Sequence, residues 1–188
     1  MKAARALMLL ACCLLLCACP PEGGSLSPLA EGEGVEILTT NAANDTLGIR
    51  REGLSIKARG LWSVADSATS VILEISNANT EPVTVDFNRC ELVQGEGGER
   101  LSLRAVSDEQ AAGGPAFLTE RTVTIDGGRE RRFALEFKIN PAGRASGVRR
   151  DVLGQRVTLR MPVSKAGDAQ ARTDFVLTFK YAEGRQGL

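Results

Sequence analysis

Cysteines, neighbouring carboxylates and short arginine runs are the residues of this 188-residue chain whose types and spacing suit chemistry. Histidine is absent. That excludes Ser-His-Asp and Cys-His catalysis, histidine-ligated zinc and histidine pH switching, and leaves carboxylate and lysine chemistry open. Asp108-Glu109 and the pair Glu96 and Glu99 could offer oxygens to calcium. Neither has the alternating oxygen spacing of an EF-hand loop, so both read as surface acids. No glycine-rich phosphate loop leads from a strand into a helix. Arg50-Arg51, Arg149-Arg150 and the group Arg129, Arg131 and Arg132 could meet an anionic partner. Glu130, Glu136 and Asp151 lie among them, so the expectation is a solvated, charge-mixed surface. Trp62 is the single tryptophan and aromatics make up 4% of the chain, too few for a carbohydrate platform, so Trp62 is expected in the core. These residue types point to no catalytic residue, no metal site and no cofactor. They leave any ligand-binding residues unassigned.

The cysteines are informative through their position. Lys2 and Arg5 give the first residues a positive charge, and Ala6 to Cys17 is an unbroken apolar run. The run is too short for a hydrocarbon core of about 30 Å, which needs ~20 residues, and it fits a secretory signal over 1–18. Leu16-Cys17-Ala18-Cys19 then resembles the bacterial lipobox: an aliphatic residue at −3, a small residue at −1 and a cysteine at +1. Leu9-Leu10-Ala11-Cys12 fits the same pattern but would leave a very short apolar segment. The resemblance implies cleavage before Cys19, diacylglycerol on the Cys19 thiol and commonly acylation of the new amino group. Two or three acyl chains on one residue anchor stably where a single chain holds only marginally. Pro20 at +2, in place of aspartate, implies the outer membrane, with the domain periplasmic or surface-exposed. The stretch 19–34, rich in Pro, Gly, Ser and Glu, reads as a flexible tether. Cys12, Cys13 and Cys17 would leave with the signal, Cys19 would be blocked by lipid, and Cys90 would remain as a buried thiol. Copper chaperoning is set aside, since only Met161 would remain of the methionines.

A mature chain of this length suits one domain with a core that needs no staples. Acidic and basic residues balance at 23 each, so the chain lacks the basic surplus that nucleic-acid binding requires. It also lacks a polybasic membrane patch.

From Val35 onward, period-two alternation dominates. Val71, Leu73 and Ile75 share a face, as do Val83, Val85 and Phe87. So do Phe133, Leu135, Phe137 and Ile139; then Val157, Leu159, Met161 and Val163; then Phe175, Leu177, Phe179 and Tyr181. Glycine, asparagine and proline turns separate these runs. The pattern predicts an all-β domain over 35–182: a single antiparallel β-sandwich of about 8–10 strands, after a cleaved N-terminal signal helix and before a tail at 183–188. The spacing of Ser107-Asp108-Glu109-Gln110 predicts one short helical turn. The order Asn77…Pro82-Val83, a glycine-rich turn, Ile125-Asp126-Gly127-Gly128 and Phe133 to Phe137 resembles the immunoglobulin-like domains of small bacterial lipoproteins of the DUF4352 (telokin-like) kind. The resemblance implies fold more than function. The expectation is a membrane-anchored, non-enzymatic binding or structural module of the cell envelope. Its partners would be membrane lipid through acylated Cys19 and an unknown envelope protein. The alternative is a protease inhibitor or an accessory lipoprotein of a secretion machine. An enzyme using carboxylates ranks last.

Overall fold

The computed structural model describes residues 23–39, 45–63, 68–95, 98–139, 152–166 and 168–183. The expected signal helix, Cys19, Glu96, Arg149, Arg150 and the tail from residue 184 lie outside the described residues.

The described chain is all-β and antiparallel. Its strands are β1 (Gly23–Leu29), β2 (Val35–Thr39), β3 (Asp45–Arg51), β4 (Leu54–Ser63), β5 (Ala68–Asn77), β6 (Val83–Asp86), β7 (Glu91–Gln94), β8 (Glu99–Asp108), β9 (Ala116–Phe117), β10 (Thr122–Ile125), β11 (Glu130–Ile139), β12 (Arg156–Lys165) and β13 (Asp168–Glu183). One 3-10 turn, Phe87–Arg89, joins β6 to β7, with the Asp86 side chain accepting from the Asn88 amide.

The expected pair of stacked sheets is not what forms. All thirteen strands belong to one sheet, and that sheet closes on itself. The ring runs β1-β13-β12-β7-β8-β11-β5-β4 and returns to β1, because β1 pairs with β13 on one side and with the last residues of β4 on the other. The sheet extends past the ring through β3 and β2 on β4, β6 and β10 on β12, and β9 on β8. Carried round the ring, a row that leaves β4 at Ser63 returns to it near Ser55, about eight residues out of step. Eight strands with that stagger tilt by roughly 36° and leave an interior just wide enough for side chains to fill.

The faces read from alternation are the ones that fill it. Val71, Leu73, Ile75, Phe133, Leu135, Phe137, Leu159, Met161, Phe175, Leu177 and Phe179 are each 0% exposed. They belong to one continuous cluster that also takes in Val83, Val85 and Ile125 from the appended strands and Phe87 from the 3-10 turn. Phe87 stands edge-on to Phe133 with ring centroids 5.0 Å apart. The interior is therefore a packed core and not a container.

Closure depends on β1, which occupies part of the stretch expected as a tether. Leu26 is 2% exposed and is the main side chain that β1 sends inward. It lies over Gly60 of β4, where an added Cβ would come within 2.3 Å of Leu26 Cδ1. Strand structure thus begins at Gly23, before the expected domain boundary at residue 35. The expected helical turn is likewise absent. β8 runs through Ser107 and Asp108, then turns, with the Asp108 carboxylate accepting from the Gln110 amide at 3.0 Å. Ladder bonds to β11 outweigh the local capping pattern.

Candidate functional site

The ring has two ends. Gly23, Ser63 and Glu183 mark one, and Leu54, Asn77, Glu130 and Lys165 mark the other. The Asn77 end carries an open cleft, and its shape starts from a single buried side chain.

Asn77 closes β5 and is 1% exposed. Its side-chain amide donates to the carbonyls of Glu81 at 2.8 Å and Ile125 at 3.1 Å, while its side-chain oxygen accepts from the Asn79 amide at 3.1 Å. Its own N–H donates to Arg129 O and its carbonyl accepts from Gly128. One residue thereby ties the β5–β6 turn to the β10–β11 turn. The β3–β4 hairpin is held to the same point. Its two central residues, Glu52 and Gly53, both have positive φ, the geometry that matches strand twist in two-residue hairpins. A Cβ on Gly53 would lie 2.2 Å from Asn79 Oδ1, so only glycine lets the turns meet. Asn79 Nδ2 donates to Glu52 O at 2.9 Å, and Ala78 N to Gly53 O at 2.8 Å.

Between this knot of turns and the β12–β13 hairpin lies an open cleft of about 600 Å³. Leu54, Val83 and Val163 form a buried apolar floor. The rim carries Glu52 and Glu81 facing Lys165 and Arg172. Thr173 Oγ1 donates to Glu52 Oε2 at 2.7 Å, and Lys165 Nζ lies 4.0 Å from Glu81. The Asp174 carboxylate, hydrogen-bonded to Arg172, raises the pKa of that guanidinium. Charges of both signs around an apolar floor suit recognition of an extended polar ligand such as a peptide segment. They do not form a nucleophile–base pair.

The other candidates take bland places. Trp62 is 5% exposed and stacks edge-on against Tyr181 at 6.0 Å. Cys90 is buried, and burial pushes its thiol up to about 12, which makes it a poor nucleophile. Asp108 accepts from Arg131, whose guanidinium also sits 5.3 Å from the Phe133 ring centre. Glu109 accepts from Ser107 Oγ at 2.8 Å. The Asp108-Glu109 pair is therefore engaged within the fold. Arg51 donates to the carbonyls of Glu33 and Asp174, and Arg50, Arg129 and Glu99 are exposed. Among the described residues the arginine runs sit on different strands: Arg50 and Arg51 end β3, while Arg129 precedes β11 and Arg131 and Arg132 lie at its start. Among the described residues no three acids or cysteines converge to hold a metal ion.

Sequence reasoning missed Glu52, Lys165, Arg172 and Thr173 as cleft residues. The Asn77-to-Pro82 turn was visible, but its partners come from distant strands, as the 121-residue separation of Glu52 and Thr173 shows. A second feature also escaped notice. Phe117 on the short strand β9 is 81% exposed, beside exposed Pro115 and Ala116. No protein-family model matches this chain, and no curated protein matches it in sequence.

Proposed function

We propose that this chain is a lipoprotein of the bacterial cell envelope, anchored through acylated Cys19, whose β-domain is a non-enzymatic binding module. The observation that carries the reading is Leu16-Cys17-Ala18-Cys19 behind a charged, then apolar, segment. The packed interior adds support: the described inward side chains fill the ring, which leaves its surfaces for recognition. The cleft at the Asn77 end is the surface best suited to a protein partner. Outer-membrane placement rests on Pro20, and the likeness to telokin-like lipoprotein domains rests on the strand alternation and the Asn77–Pro82 turn.

The test is a Cys19→Ala change in the native host, with labelled palmitate and membrane fractionation. The wild-type chain takes up label and sediments with membranes; the variant does neither. Sedimentation and labelling that survive the change sink the anchor. Crosslinking from a photoreactive group at Lys165 then tests the cleft, and an envelope protein captured there, lost with Glu81→Lys, is the expected result.

A second reading, an inhibitor of a protease, is favoured by Phe117, an exposed aromatic on the short strand β9 beside β8. Stoichiometric inhibition lost with Phe117→Asp would select it.

A further inference from the structure

The position of β1 fixes how an anchored chain meets its membrane. Gly23 is already hydrogen-bonded into the ring, opposite Ser63 of β4, and Gly24 pairs with Glu183 of β13. Only Pro20, Pro21 and Glu22 separate this point from Cys19. At ~3.5 Å per residue, the path from Cys19 to Gly23 spans no more than about 14 Å even when fully extended. Two prolines in succession also restrict its conformations. A tether of 19–34 would reach several times farther; this path keeps Gly23 within about 14 Å of Cys19.

We infer that the Gly23 end of the ring rests against the lipid headgroup layer and that the domain stands end-on. The inference rests on the acylation of Cys19 proposed above. The ring end fits that neighbour. Among the described residues its exposed rim carries Arg100, Arg156 and Lys180 beside Glu99 and Glu183, charges that belong among phosphate and amine headgroups and not in hydrocarbon. Arg100 pairs with Glu91 and Arg156 with Glu31, so these described charges are close to balanced. This matches contact with the headgroups without insertion. The Asn77 end then faces away from the bilayer. A ten-residue strand such as β4 rises roughly 25 Å along the axis at the tilt above, and that is the height at which the cleft is displayed.

Two side chains equally exposed at 72%, Arg100 at the Gly23 end and Glu81 at the Asn77 end, give a matched comparison. The full chain carrying Arg100→Cys or Glu81→Cys is produced in a host that acylates Cys19. It is labelled with a small fluorophore, with buried Cys90 left unreacted. It is then reconstituted in phosphatidylethanolamine–phosphatidylglycerol vesicles containing a headgroup-nitroxide lipid. Quenching several-fold stronger at position 100 than at position 81 is the expected result. A Gly-Ser spacer of about 20 residues between Glu22 and Gly23 should bring the two to the same low level. Equal quenching without the spacer, or stronger quenching at position 81, in protein that carries palmitate and floats with the vesicles overturns the end-on posture alone. Protein that neither takes up palmitate nor floats overturns the anchor and the posture together.

Discussion

The Trp62 indole N–H donates to the Ala182 carbonyl at 2.8 Å, linking β4 to β13 at the place where β1 passes between them. The bond fastens the closing seam of the ring from the inside. Trp62→Phe keeps most of the apolar area and loses the bond, so it should cost about 1 kcal/mol. Trp62→Ala also leaves a cavity and should cost about 3–5 kcal/mol. Urea unfolding followed by circular dichroism measures both, and a Trp62→Phe variant as stable as the wild type would show that the bond contributes nothing.

Gly60→Val should destabilise the seam by about 1–3 kcal/mol, because the new side chain meets Leu26. In a Leu26→Ala background the same change should cost clearly less. A double-mutant cycle in urea reads the coupling. Additive costs would mean that Leu26 does not seat over Gly60.

Stability should decline at alkaline pH through two buried groups. Burial pushes the Tyr181 hydroxyl from 10.0 to about 12, partly offset by its hydrogen bond to Thr69, and pushes the Cys90 thiol from 9.0 to about 12. Between those values the folded chain holds protons that the unfolded chain releases. Stability is therefore full below about pH 9 and falls as pH rises toward 12. Tyr181→Phe should flatten the part above pH 10, and Cys90→Ala the part that begins near pH 9. Unfolding midpoints across pH 7–11 check this, and unchanged slopes in both variants would refute it. At neutral pH Tyr181→Phe should still cost something, since Tyr181 also donates to Gln94 at 3.2 Å inside the core.

Asn77→Ala strips hydrogen bonds from the Glu81 and Ile125 carbonyls and should cost about 3 kcal/mol. It should also loosen the cleft. Faster amide hydrogen exchange at Ala78 and Asn79, with little change at Leu73 or Ala134 in the middle of β5 and β11, would locate the effect.

The faces of the long strands were legible because period two alone decides which side chains turn inward. Phe175, Leu177, Phe179 and Tyr181 needed nothing else. Ring closure was not legible, because alternation leaves open which edges pair. Residues Gly23 to Leu29 hid it further. Their glycines, serines and proline carry the composition of a linker, and they become a strand because two open edges, β4 and β13, wait on either side. Ser107 to Gln110 failed in the opposite sense: a local helix-start pattern lost to a sheet ladder. Asn77 was legible as a turn residue, but its role in tying the β5–β6 turn to the β10–β11 turn, with Asn79 holding the β3–β4 turn, depends on chain segments that meet only after folding.

The pairing of Gly24 with Glu183 also sets an order of events during biosynthesis. β1, made early among the described strands, finds its second partner only when β13 has been delivered. At roughly 5–20 residues per second that is a wait of about 10–30 s. Throughout it, the nascent ribbon exposes unpaired edges and the phenylalanines of its future interior. Such a chain can close its ring only once β13 is available to pair with β1.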